Sequence, residues 1–126
     1  MMEKIAVTYE NGNVFMHFGK TTHFKIYEIE NKKIINEYVI DNKGITHCAL
    51  IDYLKGLKVD ALICGNLGYG AVSKLNDLGI KLYAGVSGNV DKVINDYIDG
   101  NLSYDNSSTC EEEHTHSCKD EINPLI

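Results

Sequence analysis

The chain contains no arginine, and its twelve basic residues are all lysine. Bidentate recognition of phosphate or guanine leans on the guanidinium fork, and nucleic-acid binding needs a basic face. A chain of formal net charge −6 has neither, so nucleic acid and anionic membrane surfaces are excluded as partners. No apolar run approaches the roughly 20 residues of a membrane-spanning helix. Met1-Met2-Glu3-Lys4 leads straight into the strand-like Ile5-Ala6-Val7, so no signal peptide is expected and the protein reads as cytoplasmic. In that compartment four cysteines are read as reduced thiols or metal ligands rather than disulfides. The phosphate motifs are missing too. Gly65-Asn66-Leu67-Gly68-Tyr69-Gly70 is G-x-x-G-x-G, neither the dinucleotide pattern nor a P-loop.

What is present suits one domain. The 126 residues are 44% hydrophobic, enough for a single core. The first third has strand character. Lys4–Tyr9 is apolar-rich, and Asn11-Gly12 signals a hairpin before Val14-Phe15-Met16. Phe24 to Ile29 alternates apolar and polar, and a further strand runs from Ile34 to Ile40. After Gly44 the period changes to that of a helix, with Thr46 as cap and Leu50, Ile51, Leu54 and Leu57 along one face. Val59 to Cys64 reads as a strand buried on both faces. A helix follows the glycine loop and ends at Gly79; Ile80–Ala84 is a strand, and Asn89 caps a last helix closed by Gly100. An antiparallel meander followed by helix–strand–helix–strand–helix predicts an α/β fold with helices on both faces of a mixed sheet. From Ser103 the apolar period stops, and 103–126, which holds the only proline (Pro124), reads as a flexible polar tail. An exposed edge of the first hairpin allows a monomer or weak homodimer.

These elements resemble those of the dinitrogenase iron–molybdenum cofactor biosynthesis family. The likeness rests on His17-Phe18-Gly19 with the following Phe24–Glu28 strand, and on Val59–Gly68 with its glycine loop. Ala71, Leu75, Gly79–Tyr83 and the Val90–Leu102 helix ending in Gly100-Asn101-Leu102 continue it. It covers about residues 4 to 102. The resemblance implies a ribonuclease-H-like three-layer αβα fold, with a mixed five-stranded sheet. It further implies a non-catalytic carrier of an iron–sulfur or iron–molybdenum type cluster, meeting cluster donor and acceptor proteins. Where the family would place arginine after HFG, this chain has Lys20, a point charge.

Ligands of α/β sheets favour the carboxyl ends of strands. His17, Phe18, Gly19 and Lys20 at a strand break, His47 and Cys48 in a first helical turn, and Cys64, Gly65 and Gly68 before a helix are the candidate cluster-binding residues. Imidazole and thiolate suit iron, and backbone N–H groups at helix starts favour anions. Cys64 has two readings, ligand or small buried hydrophobe. Carboxylates that would converge for two-metal nuclease chemistry are not apparent. The tail carries a separate signal. Cys110, His114, His116 and Cys118, spaced C-x3-H-x-H-x-C, supply two thiolates and two imidazoles within nine residues, a donor set suited to zinc or nickel. Two function classes follow: a cluster carrier acting through the folded domain, or a zinc or nickel chaperone or sensor acting through the tail.

Overall fold

The computed structural model describes residues 2–18, 21–42, 47–104 and 109–110, and for residues 47, 48, 68, 69, 109 and 110 the backbone alone. In chain order the elements are β1 (Met2–Glu10), β2 (Asn13–Val14), β3 (His23–Glu30), β4 (Lys33–Asp41), α1 (His47–Gly56), β5 (Ala61–Ile63), β6 (Leu67–Gly68), α2 (Tyr69–Asp77), β7 (Lys81–Tyr83), α3 (Val90–Asp99) and β8 (Thr109–Cys110). The main sheet runs β4-β3-β1-β5-β7, with β2 paired to β1 off this path. β1, β3 and β4 are antiparallel neighbours, and β5 and β7 continue parallel to β1. The sheet has six strands where five were expected, because the two-residue β2 adds to the five of this path.

Two cores flank this sheet. On one face Leu50, Ile51 and Leu54 of α1 and Leu75 of α2 pack on Ala6, Phe24, Ile26 and Leu62. On the other, Val90, Val93 and Ile94 of α3 pack on Ile5, Val7, Tyr27, Ala61 and Ile63. β1 and β5 feed both cores by alternation, which is why their sequences read as unbroken apolar runs. α1 and α2 thus cover one face and α3 the other. No helix among the described residues is long and apolar enough to cross a membrane.

The edge strand β4 departs from simple alternation for a reason written in its pairing. A bulge between Glu28 and Ile29 pairs Glu28 with Asn36 but Ile29 with Ile34, leaving Ile35 unpaired and 53% exposed. Beyond the bulge Tyr38 and Ile40 pack against the α1/α2 core, whereas Ile34 packs against the α3 core. The extra residue therefore lets one strand serve two faces, and it kinks an otherwise open sheet edge.

α3 is fixed at both ends. Asn89 lies in extended geometry, and its side chain accepts from the N–H groups of Asp91 and Lys92, while Gly100 closes the helix at φ +79°. Asn89 also donates its amide to the Gly12 carbonyl, so one residue caps the helix and ties it to the first hairpin. Asn89→Ala is expected to lose roughly 1–2 kcal/mol in a urea unfolding series. A midpoint identical to wild type would show that neither bond matters. Across the same interface Tyr27 donates its hydroxyl to Asp91 at 2.7 Å, and Lys25 reaches the same carboxylate at 3.1 Å. These bonds, the tyrosine's first, hold the Asp91 carboxyl below its ordinary range.

Candidate functional site

β1, β5 and β7 run parallel and end on the same side of the molecule, and the loops leaving that side are laced together by backbone hydrogen bonds. Cys64 N donates to Tyr83 O, Val86 N to Cys64 O, and Gly85 N to Gly65 O at 2.7 Å. These bonds join the loops after β5 and β7. The strand break after β2 is joined to the same surface: Asn66 N donates to Met16 O at 2.6 Å and Phe18 N to Asn66 O at 2.9 Å, forming a parallel bridge between His17 and Asn66. Gly65 is required by the closeness of this approach. A Cβ built there would lie 2.5 Å from the Met16 carbonyl oxygen and 2.8 Å from its Cα.

Within this platform the predicted residues separate. His17 is exposed on top, with its ring edge-on to Phe15 at 6.3 Å. Phe18 turns the other way: it is 2% exposed, packs 6.1 Å from Phe24 and belongs to the α1/α2 core. It anchors the loop from beneath and does not offer a surface to a ligand, because the chain leaves the bridge at Phe18, whose carbonyl accepts from Thr21 N, with the ring in the core. Cys64 is fully buried in the same core, and burial pushes its thiol up to about 12. Of its two readings, the small buried hydrophobe fits this packing, since a neutral and enclosed thiol is not a ready ligand. Gly68 lies in β6 beside the bridge. The backbones of His47 and Cys48 open α1, which starts at this same end of the sheet. Gly19 and Lys20 lie outside the described residues, as do His114, His116 and Cys118.

Two neighbours were not singled out in the sequence. Met16 is 51% exposed and sets a soft thioether next to His17, and Asn66 supplies both atoms of the bridge. Neither carried a signal, because the bridge joins segments about fifty positions apart. Among the described residues no three His, Cys, Asp or Glu side chains cluster to hold a metal. A cavity of about 670 Å³ lies at the opposite end of the sheet, lined by Glu3, Asp60, Lys81, Tyr83 and Tyr97 among others, away from these loops.

The tail boundary is less sharp than its composition. Tyr104 packs edge-on against Tyr83 at 4.8 Å. Farther on, β8 pairs in parallel with β6, Leu67 with Thr109 and Gly68 with Cys110, so the predicted ligand Cys110 returns to the glycine loop. Residues 105–108 and 111–126 of the expected flexible tail lie outside the described residues.

The sequence profile described as "Dinitrogenase iron-molybdenum cofactor" matches residues 1–100. The chain belongs to that family. The match spans both cores and every loop of the platform. A relative from Methanocaldococcus jannaschii, the uncharacterized protein MJ0580, is 34% identical over 107 residues, covering 79% of this chain and 88% of its own. The crystal structure of PH0822 superposes with a TM-score of 0.77 at 28% identity, over 81% of this chain and 94% of that one. The apo form of the orange protein from Desulfovibrio gigas gives a TM-score of 0.71 at 22% identity, over 83% and 94%; it shares the fold.

Proposed function

We propose that this chain is a non-catalytic, cytoplasmic carrier for an iron–sulfur or iron–molybdenum type cluster, which it accepts from one protein and passes to another during cofactor assembly. The observation that carries this reading is the His17–Asn66 bridge. It sets an exposed imidazole on a rigid backbone platform in a chain of this cofactor family. The three helices all begin at that end of the sheet, and helix starts favour the anionic charge that such clusters carry. The strand order, antiparallel for β1, β3 and β4 and then parallel, is the order we assign to a ribonuclease-H-like fold. No nucleic acid or membrane partner enters this reading, and the protein acts as a monomer or weak homodimer.

The test is iron and acid-labile sulfide analysis of protein purified without oxygen, comparing wild type, His17→Ala and a chain ending at Leu102. A carrier acting through the platform retains iron and sulfide in wild type and loses most of it, at least tenfold, in His17→Ala. The second reading, favoured by the C-x3-H-x-H-x-C spacing, is a zinc or nickel chaperone or sensor acting through Cys110, His114, His116 and Cys118. It predicts metal without sulfide, lost on truncation and indifferent to His17→Ala.

A further inference from the structure

The cavity of about 670 Å³ at the far end of the sheet has the dimensions of a small-molecule site and takes no part in the carrier reading. β1, β5 and β7 lie side by side and parallel there, and the start of each brings a charged side chain to the cavity. Ile5 and Lys81 both pair with Ala61. Glu3 stands two residues before Ile5, and Asp60 one residue before Ala61. The order across the cavity is therefore carboxylate, carboxylate, ammonium, on neighbouring strands roughly 5 Å apart. The last turn of α3 adds Tyr97 and Ile98, and the turn after β3 adds Lys32.

Both carboxylates are held in place. Tyr97 donates its hydroxyl to Glu3 Oε2 at 2.7 Å. Lys4 N donates to Asp60 Oδ2 at 2.8 Å. Backbone bonds, Asp60 N to Lys4 O at 2.7 Å and Lys81 N to Asp60 O at 3.1 Å, fix Asp60 between the two neighbouring strands. Burial first, then the bond to Glu3 and the charges of Glu3 and Asp60, raise the Tyr97 hydroxyl above its ordinary range. The two carboxylates thus converge on one point. Tyr83 stands edge-on to Tyr97 at 5.4 Å, so an aromatic wall flanks the charges.

The ion pairs among the described residues lie elsewhere, and none of them includes Glu3, Asp60, Lys32 or Lys81. Charges of both signs line this cavity without neutralising one another. Such a lining is complementary to a ligand that itself carries both signs. We propose that the groove binds a small zwitterion of the amino-acid class, with its ammonium at Glu3 and Asp60, its carboxylate at Lys81 and an apolar side chain against Tyr83, Tyr97 and Ile98. In an α-amino acid the nitrogen and the carboxyl carbon are about 2.5 Å apart, one bond either side of Cα. Acid and lysine on adjacent strands can therefore hold both at once. The site is independent of the cluster platform, which lies at the other end of the sheet.

The experiment titrates the full chain with L-phenylalanine and follows the amide resonances of Glu3, Asp60, Lys81 and Tyr97 by NMR. Two further probes keep the ring and delete one charge: phenethylamine lacks the carboxylate, and 3-phenylpropanoate lacks the ammonium. Phenylalanine is expected to bind at about 1 mM or tighter, and each truncated probe at least tenfold more weakly. Glu3→Gln keeps an acceptor for Tyr97 and removes the charge. It should weaken phenylalanine and phenethylamine at least fivefold and leave 3-phenylpropanoate no weaker. Lys81→Met should do the reverse, weakening phenylalanine and 3-phenylpropanoate but not phenethylamine. No shift at these four residues with phenylalanine at roughly 20 mM, well above the expected range, would overturn the proposal. So would phenethylamine or 3-phenylpropanoate binding as tightly as phenylalanine, which would make this a site for one sign of charge. Phenylalanine binding unchanged in both variants would place the ligand elsewhere and overturn it too.

Discussion

Gly65→Ala is expected to be the most damaging single substitution in the loops, lowering stability by about 3 kcal/mol and emptying the platform of cluster. The added methyl would meet Met16 O at 2.5 Å and Met16 Cα at 2.8 Å. Both are backbone atoms and neither can rotate away as a side chain would. Relief requires residues 16–18 to move outward, which stretches the 2.6 Å bond from Asn66 N and the 2.9 Å bond from Phe18 N. Phe18 resists that movement because it is held in the core. The substitution therefore forces a choice between a strained bridge and a displaced anchor. Urea unfolding and iron retention should fall together. An alanine variant with unchanged stability and normal loading would show that the two loops need not touch. A variant that is destabilised yet loads normally would separate the platform from the cargo.

The features that make this region a platform were among the least legible in the sequence, whereas much of the scaffold could be read directly. α3 was bounded correctly by Asn89 and Gly100, because capping is a local chemistry of a few residues. Asn11-Gly12 does form the tight turn expected: both residues have positive φ, and Glu10 pairs with Asn13 across it. The helix-period apolar residues of α1, α2 and α3 do mark the buried faces. β2, by contrast, was expected to run through Val14-Phe15-Met16 and stops at Val14. Val14 N donates to Gly88 O, and Thr8 Oγ1 donates to Phe15 O, so this segment is bound by contacts from another part of the chain and by a side chain that composition does not flag. The β4 bulge was hidden for a similar reason. Ile34-Ile35 looks like any apolar pair until its partners are known. At the site, His17-Phe18-Gly19 reads as a strand break, which carries no period to say whether His17 or Phe18 faces out. The pairing of β6 with β8 joins positions some forty residues apart, through residues that carry no strand signal.

Raising the pH from 8 to 11 is expected to destabilise the protein by several kcal/mol, with Cys64 the first group to act. In the fold, burial raises its thiol from an ordinary 9.0 to about 12. Below pH 9 the folded and unfolded chains both carry this proton, and the thiol's contribution is fully present. Between pH 9 and 12 the unfolded chain releases the proton while the native chain keeps it, so stability falls by about 1.4 kcal/mol per pH unit. Toward pH 10 and above it Tyr27 and Tyr97 add to the loss in the same sense. Burial first, and then hydrogen bonds to Asp91 and Glu3 respectively, raise both hydroxyls well above the tyrosine range. From 9 to 10 the tyrosines of the unfolded chain, with an ordinary value of 10.0, begin to ionise, so the part of the slope that belongs to Cys64 is the excess of wild type over a variant without the thiol. Urea unfolding of wild type and Cys64→Ala at half-unit steps from pH 8 to 11 reads this directly. The alanine variant starts lower, for the lost sulfur packing, but its stability should fall less steeply than that of wild type at every step above pH 9, by the tyrosine contributions alone. A wild-type curve that runs parallel to that of the alanine variant from 9 to 10 would mean that the thiol ionises in the native state. It would then be accessible enough to serve as the cluster ligand that its burial now argues against.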